Sequence, residues 1–226
     1  MTKDTLIQEV TEAAPDRRGF IRKATLVGAA GAAALLTGGA AEADGIRENN
    51  GEDKRETRNI FLDIQRHENA HVAFLLTALG GAARPKPTFR NLVQPNFRHF
   101  VHVSQALENT GVGAYLGAAP VILNRGYLAA AGSIALIEAR HAGWLNSLVE
   151  VPITTDVYGV EQSLETPLTA AQVVALASPF IANLNGGPAV DYSATPSAAN
   201  DIAVLNFALA LEYLEAEFYN LNVANY

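Results

Sequence analysis

From Arg58 onward, apolar residues return every three or four positions. Ile60, Ile64, Leu75 and Leu79 share one stripe with Glu68 and His71, and Gly80-Gly81 stop it. A period of about 3.6 residues predicts an amphipathic helix. Pro85, Pro87 and Pro95 then mark a loop. A second helix is predicted over about 96–117, with Phe97, Val101, Ser104, Glu108, Gly111 and Tyr115 in line and Pro120 closing the region. A third is predicted over about 125–149, its inner face made by Ile134, Ile137, Glu138, His141, Leu145 and Leu148. Residues 150–200 are mixed: 151–160 reads as extended, 169–184 as a short helix after Pro167, and Gly186-Gly187-Pro188 opens a Ser/Ala/Pro-rich run. The last helix is predicted over 201–220, with Asn200 or Asp201 as its N-cap. Ile202, Leu205, Leu209, Glu212, Ala216 and Tyr219 form its stripe. No strand alternation competes with these segments, so the expected class is all-α, most simply a four-helix bundle.

Two segments ahead of Arg58 stand outside that pattern. Residues 44–57 (DGIRENNGEDKRET) are polar, charged and aperiodic, and read as a linker. Residues 1–43 carry Asp16-Arg17-Arg18-Gly19-Phe20-Ile21-Arg22-Lys23, then an Ala/Gly-rich apolar run, then Ala41-Glu42-Ala43 as an A-x-A-like cleavage site. The paired arginines followed by Gly-Phe-Ile resemble a twin-arginine (Tat) export signal. Frequent glycines (Gly28, Gly31, Gly38, Gly39) disfavour a stable helix there. The segment is therefore read as a removable leader, leaving no stable membrane span, and the expected location is periplasmic or extracellular. The bundle domain is placed at 58–221.

Composition narrows the chemistry. The chain has 226 residues, 16 Lys+Arg against 23 Asp+Glu, a formal charge of −7 and no cysteine. Acids and bases balance within residues 1–43, so the negative charge belongs to the remainder. Such a balance argues against a nucleic-acid partner, because little would neutralise phosphates. Without cysteine, disulfides, thiolate catalysis and cysteine-held clusters are excluded, and any metal must rest on carboxylate, imidazole or backbone oxygen. At 49% hydrophobic and 17% charged, the chain can bury a large core. Charge is scarce, and its placement is informative. Between Asp63 and Glu150 the acids are Glu68, Glu108 and Glu138, and all three fall on apolar stripes. A carboxylate facing a core is costly unless paired, protonated or bound to a metal.

Two of these acids are followed three residues later by histidine: Glu68-Asn69-Ala70-His71 and Glu138-Ala139-Arg140-His141. On a helix, positions i and i+3 share a face, so each pair can reach one metal-sized site. Dinuclear carboxylate bundles combine two such helices with one glutamate from each of two others. Glu108 supplies one. On the last helix Glu212 lies on the inner stripe and is the preferred ligand, Glu215 on an adjoining stripe is the alternative, and Glu217 reads as solvated. Tyr115 follows Glu108 by seven residues, and Tyr219 follows Glu212 by the same interval. That repeat suggests equivalent roles around a pseudo-twofold site. Both tyrosines are candidates for hydrogen bonds to ligand carboxylates, with core aromatics as the plainer reading. His67, His99 and His102 lack an E-x-x-H partner and read as ordinary surface or satisfied histidines, and Trp144 as core.

The segments ENAHVAFLLTALG, PNFRHFVHVSQALENTGVGAYLGAAP, SIALIEARHAGWL, TPLTAAQVVALASPFI and NDIAVLNFALALEYLEAEFY together resemble a ferritin-like family that includes plant desiccation-related proteins and exported bacterial relatives. In that family the helix resembling LEYLEAEFY comes first, whereas here it comes last. The resemblance thus implies a circularly permuted order, or else helix exchange between two chains of a homodimer. Four carboxylates and two imidazoles suit two iron or manganese ions, with zinc less fitting. The implied function is a dimetal protein that handles iron or peroxide, ferroxidase-like or catalase-like, with O2 or peroxide as co-substrate. A protective role under drying or oxidative stress is implied by the resemblance alone. The rival is a non-enzymatic stress or scaffold bundle with a structural or empty metal site.

Overall fold

Each helical stripe buries itself against another. A computed structural model describes residues 51–226, with side chains from Lys54 onward, so the leader and residues 44–50 lie outside the described residues. Helix α1 spans Gly51–Leu79, α2 Phe97–Ala118, α3 Arg125–Leu148, α4 Ala170–Ala177 and α5 Ala198–Asn222. Helix α1 packs along α5 and α2 along α3, while α2 also touches α5 and the short α4. The result is the all-α bundle expected, with α1, α2, α3 and α5 as its four long helices. Among the described residues no helix is long and apolar enough to cross a membrane.

The core is divided along the bundle axis. On one side of the middle lie Phe61, Ile64, Phe100, Leu145, Leu214 and Phe218. On the other lie Leu75, Leu79, Ile134, Leu205 and Leu209. Trp144 stacks edge-on against Phe61 at 5.0 Å. The acids and histidines of the stripes fall between these two apolar layers, where the same periodicity that builds the core also buries them.

Several boundaries differ from the sequence expectation. Helix α1 begins at Gly51 rather than Arg58, inside the polar stretch read as linker. Lys54, Arg55 and Glu56 are exposed there, and as strong helix formers they extend a helix without an apolar face to reveal it. The N-cap of α5 is Ser197, which accepts from the Asn200 amide, not Asn200 or Asp201. Asp201 is buried instead, accepting from the Leu123 and Asn124 amides at 2.7 and 2.9 Å and tying α5 to the turn before α3. Residues 151–160 are not a strand. Asp156 gathers the amides of Tyr158 and Val160 into a turn, leaving one bridge between Thr155 and Glu161. The helix expected over 169–184 stops at Ala177. Pro179 disfavours its continuation, and β2 (Ile181–Asn183) then pairs antiparallel with β1 (Thr88–Phe89).

Candidate metal centre

Four helices bring acids to one level of the bundle. Glu68 and His71 project from one face of α1, Glu138 and His141 from one face of α3, Glu108 from α2 and Glu212 from α5. Glu68, Glu108 and Glu138 are 0% exposed and Glu212 1%, so bulk water does not solvate these carboxylates.

Two overlapping ligand sets form. Nδ1 of His71 lies 3.2 Å from Oε2 of Glu68, 3.1 Å from Oε1 of Glu138 and 3.2 Å from Oε2 of Glu212. Nδ1 of His141 lies 3.1 Å from Oε1 of Glu68 and 3.0 Å from Oε2 of Glu108. One set is Glu68, His71, Glu138 and Glu212; the other is Glu68, Glu108, Glu138 and His141. In each set, one ligand atom per residue lies within 4.8 Å of the others. Glu68 and Glu138 are common to both sets, while Glu108 and Glu212 serve one each.

The two unshared acids are held crosswise. Tyr115 of α2 donates to Oε1 of Glu212 on α5 at 2.5 Å, and Tyr219 of α5 donates to Oε1 of Glu108 on α2 at 2.6 Å. The repeated Glu-x6-Tyr spacing therefore makes a reciprocal clasp, in which each helix offers an acid and holds the other's. Each clasped carboxylate keeps its second oxygen turned to a histidine.

The shared acids have no such support. Oε1 of Glu68 and Oε1 of Glu138 each face a histidine Nδ1 at 3.1 Å without forming a hydrogen bond, and Oε2 of Glu138 is buried without a hydrogen-bond partner. Each unsatisfied buried group costs about 1–3 kcal/mol, which calls for a specific explanation. A pair of divalent cations fits these residues. Their charge balances the four carboxylates of the two sets, and the two imidazoles complete an oxygen and nitrogen donor group suited to iron or manganese.

In the metal-free chain, protons take over part of that task. Burial, then the charges of Glu68 and Glu108, push the Glu138 carboxyl well up. Burial also raises Glu212, to about 7, against the opposing hydrogen bond from His71. Burial alone would lower the two histidines, but the acids outweigh it. Hydrogen bonds to Glu212 and Glu68 lift His71 to about 10, and the charge and hydrogen bond of Glu108 lift His141 to about 10. Glu68 runs the other way: burial raises it, but the facing imidazoles of His141 and His71 hold it at about 2.

These shifts fix a pH dependence. The raised acids stabilise the metal-free fold fully below their ordinary value of 4.5, and that contribution fades as pH climbs through about 7 for Glu212. The histidines contribute fully below 6.5 and lose it as pH climbs through about 10. Glu68 contributes above 4.5 and loses it only as pH falls through about 2. Metal-free protein should thus unfold at lower urea at pH 9 than at pH 5.5. Metal binding must displace the same protons, so it should tighten with pH and release protons to the buffer. Titration calorimetry in buffers of different ionisation enthalpy reads the release. Binding that is indifferent to pH would contradict this account.

Glu215 occupies a different place. A Cβ on Gly111 would lie 3.2 Å from Oε2 of Glu138 and 3.4 Å from Oε1 of Glu215, so the glycine leaves room for both acids. Glu215 is buried and belongs to neither ligand set. Burial, then the charges of Glu108 and Glu212, push its carboxyl well up.

Two residues near the centre escape a reading by motif. His67 has no E-x-x-H partner, yet its Nδ1 lies 3.0 Å from Nε2 of His141 with the rings parallel. The available signal is its position one turn before His71. Gly111 lies on the stripe of Glu108, where a glycine in mid-helix marks a close approach. His99 binds the Asn96 cap and, like His102, belongs to neither set.

A family model described as the ferritin-like domain matches residues 19–151, which is more than half of the chain. The matched span takes in α1, α2 and α3 and stops before α5. Comparisons with curated proteins and with solved structures gave no match.

Proposed function

We propose, because the chain belongs to the ferritin-like domain family and gathers this buried cluster, that it is a dinuclear iron or manganese protein acting on dioxygen, peroxide or Fe(II). The observation that carries the reading is the pair Glu68 and Glu138, common to both ligand sets and with three oxygens left unsatisfied. Held by these residues, two redox-active ions would supply electron exchange with dioxygen or peroxide. The chain's own residues supply the rest. Tyr115 and Tyr219 fix the unshared carboxylates, and the apolar layers on either side exclude water. An apolar cavity lined by Leu75, Ala114, Tyr115, Ala131, Leu205 and Leu211 abuts the clasp, and a small uncharged molecule such as dioxygen suits that lining.

The wider setting belongs to the same proposal. The protein is exported through its twin-arginine leader, cut after Ala43, and works in the periplasm or outside the cell in protection against oxidative or drying stress. Its helices follow a permuted order. Pairing of α5 with α1, and of α2 with α3, supports α5 as the stand-in for a first helix, because it completes the acid set from the chain's end.

One preparation tests these points. Protein expressed with its leader and purified without chelator should carry about two Fe or Mn per chain. It should also consume dioxygen in the presence of Fe(II), or else decompose peroxide. A metal-free protein whose melting is unmoved by Fe(II) or Mn(II) would sink the dimetal reading. Metal without turnover would favour a structural site. The intact mass of the same sample reports cleavage after Ala43. Elution at low concentration separates a metal-loaded monomer, expected for the permuted order, from a helix-exchanged dimer.

A further inference from the structure

His71 and His141 occupy matched places, each three residues after a shared glutamate, but they differ on the side away from the acids. Nε2 of His141 lies 3.0 Å from Nδ1 of His67, with ring planes 4° apart and centroids 5.2 Å apart. His67 directly precedes Glu68 on α1, whereas the residue directly preceding Glu138 on α3 is Ile137. Isoleucine has no side-chain hydrogen-bonding group. The near-twofold relation of the two E-x-x-H helices is broken at this place.

The rest of the site gives that contact a direction. His141 turns Nδ1 to Glu68 and Glu108. To offer a cation a lone pair there, the neutral ring must carry its proton on Nε2. That Nε2–H needs an acceptor, and Nδ1 of His67 stands at hydrogen-bond distance. His67 then keeps its own proton on Nε2. A ligand imidazole held in this way is fixed in tautomer and rotation and gains basicity, and loss of such a partner typically costs 10–100-fold in metal affinity.

We propose that His67 is a positioning residue that locks His141 in its Nε2–H tautomer and makes the position formed by Glu68, Glu108, Glu138 and His141 the tighter of two metal positions. The inference rests on the dinuclear reading of the site. The two positions accordingly fill in order, that of His141 first.

Co(II) titration of the metal-stripped full chain, followed by visible absorption and calorimetry, should resolve two affinities. In His67→Ile, which copies the α3 residue, the tighter step should weaken about 10–100-fold while the other holds. His67→Gln, whose side-chain carbonyl accepts the same proton, should recover most of the loss. Identical two-step titrations for the native chain and His67→Ile would overturn the role of His67 and leave the dinuclear site standing. No Co(II) uptake by the native chain would overturn the site and this inference together. A measurement free of mutation reads the contact directly. With diamagnetic Zn(II) bound, nitrogen-detected spectra should show scalar coupling between Nε2 of His141 and Nδ1 of His67, and a proton-free Nε2 on His141 would overturn the proposal.

Discussion

Replacing Glu138 by methionine should empty both metal positions at once while leaving the metal-free protein at least as stable as the native chain. Glu138 is common to both ligand sets, so its loss removes a donor from each. Metal content should fall from about two ions per chain to near none. Stability moves the other way because Glu138 is 0% exposed, its carboxyl is pushed well up by burial, and its oxygens make no hydrogen bond beyond the 3.1 Å approach of His71 Nδ1 to Oε1. Methionine has similar length and no polar group to desolvate, and His71 keeps Glu68 and Glu212. A gain of about 1–3 kcal/mol in the metal-free state is expected. An ordinary buried ion pair behaves in the opposite sense, losing about 3–5 kcal/mol when one partner is removed. Elemental analysis and urea unfolding of the stripped protein distinguish the two. Retained metal, or a clear loss of metal-free stability, would refute the assignment of Glu138 as a shared ligand. Glu212→Met serves as contrast. It touches one ligand set and leaves the Tyr115 hydroxyl without its acceptor, so it should lose about half the metal and some stability.

Gly117→Ala should be among the most damaging single substitutions in the fold. A Cβ at Gly117 would lie 1.8 Å from the carbonyl oxygen of Leu168, 2.9 Å from its carbon and 3.2 Å from its nitrogen. These are backbone atoms and cannot rotate away. One turn earlier on α2, Gly113 accepts the Leu168 amide at 2.9 Å, and a Cβ there would meet Leu168 Cγ at 2.6 Å. Glycines at 113 and 117 thus let the chain entering α4 lie directly on α2, with the Leu168 side chain in the core. Alanine's better helix propensity, worth about 1 kcal/mol, is outweighed by a clash of the kind that costs 1–3 kcal/mol or more. A net loss of about 2 kcal/mol or more in urea unfolding is expected. Gly132 provides the control. It sits exposed within α3 with nothing within 4 Å of its Cβ position, so Gly132→Ala should stabilise by about 0.5–1 kcal/mol. If Gly117→Ala matched the native midpoint, the close approach of α2 and Leu168 would be wrong.

Much of the site was legible because a helix converts spacing into direction. Glu68 and His71, or Glu138 and His141, face the same way whatever surrounds them, and an acid on an apolar stripe signals burial before any packing is known. What lay between helices was less visible. Glu212 and Glu215 lie on adjoining stripes, and helical phase does not choose between them. The packing of α5 on α1 and α2 places Glu212 among the groups that could hold a metal ion and Glu215 beside Gly111. The Glu-x6-Tyr repeat pointed to equivalence but not to exchange, since Tyr115 reaches the acid of α5 and Tyr219 the acid of α2. The first turns of α1 were hidden because a solvated helix of Lys, Arg and Glu carries no apolar period.

By itself, then, the sequence determined the all-α class, the four long helices with their buried faces, and a cysteine-free group of acids and histidines inside them. These follow from local periodicity and from the cost of burying charge. Only the tertiary structure decided which oxygens meet which nitrogens: the shared places of Glu68 and Glu138, the crossed tyrosines, the contact of His67 with His141, and the glycines that admit Glu215 and Leu168. Such contacts depend on how far apart helix axes lie and how each helix is rotated about its own. Those quantities are set by the sum of packing across the bundle, and no single segment encodes them.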